Sequence, residues 1–243
     1  MASSALLYNQ LSFSQTEDGL KLIDRLPSLK GSRVLDLGCG TGYLASVLAR
    51  LVGPDGTVTG VDPDRERIGL AQEQYGAISN LKFMVGSCEE FPNGPYDVVF
   101  SNYVLQWIED KESVYFKVFE NLNVSGKFAF TCSGSVAQVA LQLDALMKPG
   151  KPKINNYLHI WPPDVHETIA SKCGFQMEFK SVGSRKDSFP NIEALMEWMY
   201  ASTNGKLDYH SIDDTALDKF KESFGGEPAS YEFNTMAYIF IKA

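Results

Sequence analysis

The chain has 243 residues, of which 44% are apolar and 21% charged, enough to bury one substantial core without staples. Its formal charge of -8 repels a phosphate backbone, so no nucleic acid is expected as substrate, and no apolar run approaches the ~20 residues of a membrane-spanning helix. Met1-Ala2-Ser3-Ser4 lacks the basic then apolar pattern of a secretory signal, so a cytoplasmic location is expected; Cys39, Cys88, Cys132 and Cys173 are too widely spaced for a chelating pair, so no metal is expected.

In chain order, Leu20, Ile23, Leu26 and Leu29 recur at helical spacing behind a more polar stretch containing Tyr8, Ser14 and Gln15. This predicts a partly helical N-terminal segment, then a helix ending near Pro27. Arg33-Val34-Leu35-Asp36-Leu37 reads as a buried strand running directly into Gly38, Gly40 and Gly42. Leu44, Val47, Leu48 and Leu51 mark the following helix, which Gly53-Pro54-Asp55-Gly56 stops. Thr57-Val58-Thr59-Gly60-Val61-Asp62 predicts the second strand, and 64–75 a helix turning Ile68 and Ala71 inward. Strands are expected at 81–85, 96–100 and 126–132, with a helix at 113–122. Five short strands joined largely by helices predict an α/β fold with a parallel sheet covered on both faces, its strand ends gathered along one edge. Beyond it, 136–147, 163–173, 192–200 and 213–224 read as helices, 148–152 as a basic loop, and 175–182 and 231–241 as strands. No linker divides the chain, so a single domain over 1–243 is expected.

Gly38-Cys39-Gly40-Thr41-Gly42 sits between strand and helix, where missing side chains let the backbone turn tightly and approach a ligand. A dinucleotide site wants G-x-G-x-x-G so that a helix N-terminus holds pyrophosphate; here the third glycine comes one residue early. Asp36, before the turn, is a liability for a diphosphate but suits an ammonium. Asp62 closes the second strand at the reach expected of a carboxylate that binds both hydroxyls of a ribose, which points to a nucleoside without choosing which one.

Val34-Leu35-Asp36-Leu37-Gly38-Cys39-Gly40-Thr41-Gly42 resembles the first motif of the class I S-adenosylmethionine-dependent methyltransferases. The resemblance implies a Rossmann-like three-layer α/β sandwich, a mostly parallel seven-stranded sheet with an antiparallel last strand, and S-adenosyl-L-methionine as cofactor. It places Asp36, Gly38, Cys39, Gly40 and Gly42 on the methionine portion, Asp62 with Pro63 on the ribose, and an acidic residue after the third strand on the adenine. Here that strand ends Gly86-Ser87-Cys88, with Ser87 where an aspartate is common, so the adenine contact falls to Ser87, Cys88 or Glu89.

The fourth strand ends in Ser101-Asn102, two polar residues at the edge where ligands collect, without the N-P-P-Y or D-P-P-Y motif of amine-directed relatives. Tyr103-Val104-Leu105-Gln106-Trp107 is similar to the segment found in trans-aconitate, malonyl-carrier and juvenile hormone acid methyltransferases, which esterify carboxylates. Tyr8 with Gln15 resembles the stretch that folds across the cofactor in that group. By this resemblance 1–30 covers the cofactor, 32–132 holds it, and 133–230 supplies the substrate side.

Tyr103, Gln106 and Trp107 are the expected pocket residues, although a large ring such as Trp107 also reads as ordinary core. Tyr157 and Trp161, from Asn155-Asn156-Tyr157-Leu158-His159-Ile160-Trp161, either orient a substrate or pack a connecting loop. An anionic substrate wants a fixed cation, for which Arg185, with Lys186, is the candidate; its other reading is a solvated turn charge. A carboxylate is already anionic and needs no triad. His159 and His166 are candidate bases if the nucleophile is a hydroxyl, amine or carbon. The expected activity is methylation of a small organic or fatty acid by a monomer or homodimer. Its alternatives are another nucleophile, or cofactor binding without turnover.

Overall fold

The computed structural model describes residues 5–7, 13–148, 150–225 and 228–243. The apolar runs become β1 (Arg33–Leu37), β2 (Thr57–Asp62), β3 (Leu81–Val85), β4 (Tyr96–Asn102), β5 (Leu122–Ser133), β6 (Phe175–Phe189) and β7 (Ala229–Lys242). They form one sheet of seven strands in the order β3-β2-β1-β4-β5-β7-β6. β1 to β5 pair in parallel, and β7 lies antiparallel between β5 and β6. This is the mostly parallel, Rossmann-like α/β sandwich expected from the sequence.

Parallel strands must be covered on both faces, and the helices do so by burying their apolar stripes. On one face lie α1 (Phe13–Ile23), α2 (Tyr43–Val52) and α3 (Arg65–Tyr75), packing Leu22, Leu48 and Ile68 against Val34, Val58 and Phe100. On the other, α4 (Lys111–Asn121) and α6 (Pro163–Cys173) pack Tyr115, Val118 and Ala170 against Phe128, Phe130 and Phe240. A third cluster joins α5 (Gln138–Leu146), α7 (Ile192–Ser202) and α8 (Asp214–Glu222) to the start of β7 through Leu143, Leu195, Phe220 and Phe233. Strand order reverses between β1 and β4, so the loops leaving these two strands diverge and open a crevice at their C-terminal ends.

Two elements differ from expectation. The polar stretch with Ser14 and Gln15 is the first turn of α1, and the helix stops at Ile23; the chain then turns, with Arg25 N–H bonded to the Leu22 carbonyl, yet still buries Leu26 and Leu29. β6 runs on to Phe189 because β7 supplies partners along its whole length, pairing Arg185 with Phe233 and Lys186 with Glu232. As an edge strand β6 is exposed on both sides over much of its length, which erased the apolar alternation that would have marked its full extent. Among the described residues no helix is long and apolar enough to cross a membrane.

Candidate functional site

The turn after β1 needs glycine for two independent reasons. Gly38 and Gly42 have φ of 79° and 87°, the left-handed region. A Cβ on Gly38 would stand 2.2 Å from Val104 Cγ2, and one on Gly42 2.7 Å from Phe83 Cζ. The first contact shows how closely the loop after β1 approaches the loop after β4.

Backbone amides hold this turn against the end of β2. Gly38 and Cys39 donate to the Val61 carbonyl at 2.7 and 3.0 Å, and Gly40 donates to Asp62 Oδ2 at 2.9 Å. Asp62 Oδ1 accepts from Asp64 N–H at 2.9 Å, and Asp64 in turn caps α3. Burial raises the Asp62 carboxyl above the usual carboxylate range, opposed by these amides and by Arg67. Asp36 is buried and its Oδ2 has no partner among the described residues. Burial, and then the charge of Asp62, pushes its carboxyl up to about 8. An orphaned buried carboxyl oxygen is costly unless a donor meets it, so the site asks for a cation.

Three cavities meet around Gly38, which lines all of them. The first, about 30 Å³, is walled by Asp36, Cys39, Thr41 and Thr16. The second, about 170 Å³, contains Asp62, Pro63, Gln15, Asn102, Arg67 and Lys206. The third, about 430 Å³, runs between Val61, Pro63, Val104 and Ile108 to Ser87, Cys88 and Glu89. Their sequence of buried carboxyl, carboxylate beside polar groups, and largely apolar slot suits a ligand with an ammonium, a diol and a flat base. Ser87 Oγ accepts from Glu89 and Glu90 N–H, both at 3.1 Å, and shapes the loop that closes the slot. Burial pushes the Cys88 thiol up to about 12, so it stays neutral.

A fourth cavity of about 40 Å³ adjoins the second, sharing Gln15, Trp107, Ser202 and Thr203 with it. Its walls come from distant segments: Gln106 and Trp107 after β4, Ala140 on α5, Leu158, Trp198 on α7, and Tyr231 on β7. Among the described residues its lining holds no Asp, Glu, His, Lys or Arg.

The remaining candidates divide. Asn102 donates to the Gln15 carbonyl at 3.0 Å and accepts from Thr131 Oγ1 at 2.7 Å, so it fixes α1 over the groove. Tyr103, at φ 56°, donates its hydroxyl to Asp18 Oδ2 at 2.7 Å, a second tie to α1. Tyr8 lies outside the described residues. Ser101 must be corrected: it is wholly buried, donates to the Leu37 carbonyl at 2.8 Å, and clips β4 to β1 instead of facing a ligand.

Arg185 is also corrected, because β6 continues through it and three carboxylates use its guanidinium. Asp18 lies at 2.6 Å, Asp187 at 2.7 Å and Glu17 at 2.9 Å, so it is neither a turn charge nor a spare cation. Neither histidine lines any of the four cavities around the groove. His166 is buried against Tyr115, whose hydroxyl is 2.7 Å from Nδ1, and burial holds its pKa down at about 4. His159 serves through its backbone: its N–H donates to the Gln106 carbonyl at 2.8 Å, and its carbonyl accepts from Lys111. Trp161 packs beneath the Lys111 ammonium, 4.7 Å from the ring centre.

The cation that sequence reasoning missed is Lys206. Its Nζ lies 5.5 Å from the Trp107 ring centre and 5.3 Å from that of Tyr157, on the wall of the Asp62 cavity. Burial, and then Arg67, lowers its pKa, with Asp64 opposing. A single lysine after a glycine turn carries no pattern that would single it out. Among the described residues there is no cluster of His, Cys, Asp or Glu suited to a metal ion.

A protein-family model described as a methyltransferase domain matches residues 28–180. The chain is 31% identical over 224 residues to malonyl-[acyl-carrier protein] O-methyltransferase 1 of Ilyobacter polytropus, covering 88% of this chain and 81% of the relative. It is 31% identical over 249 residues to trans-aconitate 2-methyltransferase of Deinococcus radiodurans, covering 96% and 95%. Among solved structures, the YcgJ protein from Bacillus subtilis shares its fold with a TM-score of 0.63, at 18% identity, over 92% of this chain and 97% of that one.

Proposed function

Since the chain belongs to the class I S-adenosylmethionine-dependent methyltransferases, enzymes that here bind this cofactor and methylate a small molecule, we propose that its acceptor is the carboxylate of a small organic acid. The observation that carries the reading is the Lys206 ammonium, held over Trp107 and Tyr157 on the wall of the Asp62 cavity, which shares Trp107 with the uncharged fourth cavity, here taken as the acceptor cavity. Trans-aconitate is a carboxylic acid and a malonyl thioester carries a free carboxylate, so both relatives are named for substrates of this class.

The residues fit the cofactor. Asp36, with its unpartnered oxygen, would meet the ammonium of the methionine portion, Asp62 and Pro63 the ribose, and the Ser87–Glu89 loop the base. Gln15 and Thr16 on α1 would cover it, so that residues 13–23 act as lid, 32–132 as holder and 133–230 as acceptor side. When bound, the cofactor supplies an electrophilic methyl group on a sulfonium.

A carboxylate arrives ionised at neutral pH, so the chain has no proton to remove. Lys206 would hold one carboxylate oxygen by a charge-assisted bond and Trp107 would confine the chain behind it, leaving the other oxygen to attack. Alignment of this kind supplies up to ~7 to 11 kcal/mol of a barrier.

Labelled cofactor incubated with a panel of organic acids should give base-labile methyl esters. Lys206→Met should raise KM for the acid by about tenfold or more, the worth of one hydrogen bond to a charged group, with a smaller change in kcat. Products stable to mild base would overturn the carboxylate reading.

A further inference from the structure

Two residues of the acceptor-cavity wall, Gln106 and Trp198, each carry a polar atom that no described residue meets, and the two atoms are of opposite kind. Gln106 is 5% exposed and its Nε2 donates to the Tyr103 carbonyl at 2.8 Å. A carbonyl only accepts, so this bond fixes which end of the amide is which and leaves Oε1 as the free end. That oxygen has no partner among the described residues. Trp198 is 3% exposed on α7, its ring 5.5 Å from Phe189 and 4.7 Å from Tyr231. Its Nε1 can only donate, and it too has no partner among the described residues.

Each unmet atom costs about 1–3 kcal/mol, and buried polar atoms are met in the great majority of cases. Leucine and phenylalanine at these two positions would remove both costs, so two such orphans, of opposite kind and carried by two residues of one cavity wall, call for a ligand that satisfies both. The cavity, at about 40 Å³, has more room than one water needs. It takes a group of a few heavy atoms, with the rest of the molecule passing between Gln15 and Trp107 toward Lys206.

We infer that this cavity recognises a neutral hydroxyl or primary amide on the acceptor, remote from the methylated carboxylate, with Gln106 Oε1 accepting its proton and Trp198 Nε1 donating to its oxygen. The inference builds on the carboxylate reading for the other end of the substrate. A second carboxylate does not fit: it has no proton for Oε1, and the lining offers no cation among the described residues. A bare alkyl end leaves both wall atoms unmet.

The test uses straight-chain acids of graded length, each ending in a hydroxyl, a primary amide, a methyl or a second carboxylate. They are titrated by calorimetry into the protein saturated with S-adenosylhomocysteine. At the best length, the hydroxy or amide acid should bind about tenfold or more tighter than the methyl-terminated and dicarboxylic acids. Trp198→Phe and Gln106→Met should each bring that ratio to within about twofold while S-adenosylhomocysteine still binds. Equal binding of hydroxy and methyl-terminated acids by the wild type overturns the inference, as does a Trp198→Phe variant that keeps the preference. Because binding is read without turnover, a protein that prefers the hydroxy acid yet makes no base-labile ester upholds the recognition site and sinks only the carboxylate reading.

Discussion

The groove proposed for the cofactor and the cavity proposed for the acceptor are built by different means. In the first, the groove is made by backbone: a glycine turn at positive φ, amides bonded to the end of the neighbouring strand, and one carboxyl, that of Asp62, fixed by that bonding. In the second, the cavity is made by side chains from segments as far apart as Gln106, Leu158, Trp198 and Tyr231. A ligand common to a whole class can be met by a local backbone shape, whereas a particular acceptor requires atoms that only the finished packing brings together.

The largest expected effect breaks the backbone scheme at Asp62, which holds the turn and is proposed to meet the ribose. Asp62→Ala should weaken S-adenosylhomocysteine binding by about a hundredfold, since it removes charge-assisted bonds and strands the Gly40 and Asp64 amides. Thermal unfolding should shift down with it. If calorimetry showed unchanged affinity, the groove would owe nothing to its second strand end.

A smaller effect, tied to pH, comes from Asp36. Its carboxyl lies at about 8 in the ligand-free fold, against ~4 in the unfolded chain. The folded state therefore keeps a proton that the unfolded chain has lost, and the stability from this group is full below pH ~4 and declines as pH rises to about 8. Cofactor binding runs the other way, because an ammonium partner requires the ionised form. Affinity should rise by up to about tenfold per pH unit as pH climbs toward 8, then flatten, with a proton released on binding. Asp36→Asn should remove the slope. Calorimetry in buffers of different ionisation heat counts the proton, and a flat profile in the wild type would detach Asp36 from the ligand.

The same division explains what the sequence made legible. Strand, glycine turn, helix and acidic strand end lie within thirty residues and follow from local pattern, so the places of Asp36, Gly38 and Asp62 in β1, the turn and the end of β2 were readable, as was the sheet. Ser101 was misread because alternation along β4 does not tell which polar residue is consumed by a neighbouring strand. Lys206 and Trp198 were unreadable for a stronger reason. Nothing near them in the chain distinguishes them, and each acquires meaning only from Trp107, Tyr157 or Gln106, about fifty to a hundred residues away. Arg185 was noticed for its charge, but its partners Glu17 and Asp18 stand at the opposite end of the sequence.

Arg185 also marks where the two halves are not independent, and it sets the smallest of these effects. It belongs to β6, yet it binds Glu17 and Asp18 on α1, the helix whose Gln15 and Thr16 wall the cofactor groove. The Glu17 pair is half open to solvent and contributes little, whereas Asp18 and Asp187 are mostly buried; without the guanidinium Asp187 would lose its ion-pair partner and Asp18 would keep only the Tyr103 hydroxyl and Lys21 at 3.8 Å. Arg185→Met should therefore loosen α1 without touching the reacting groups, raising the dissociation rate of S-adenosylhomocysteine about three- to tenfold in stopped flow while the acid's KM stays within about twofold. Arg185→Lys should fall between, because an ammonium cannot offer three carboxylates a planar fork. Salt should move the wild type only part of the way toward the variant, since just one of the three pairs is exposed enough to be screened. An unchanged dissociation rate would mean that α1 is held by Asn102 on Gln15 and by the close packing of Gly19 on Leu44, and that the cofactor groove closes with no help from the acceptor side.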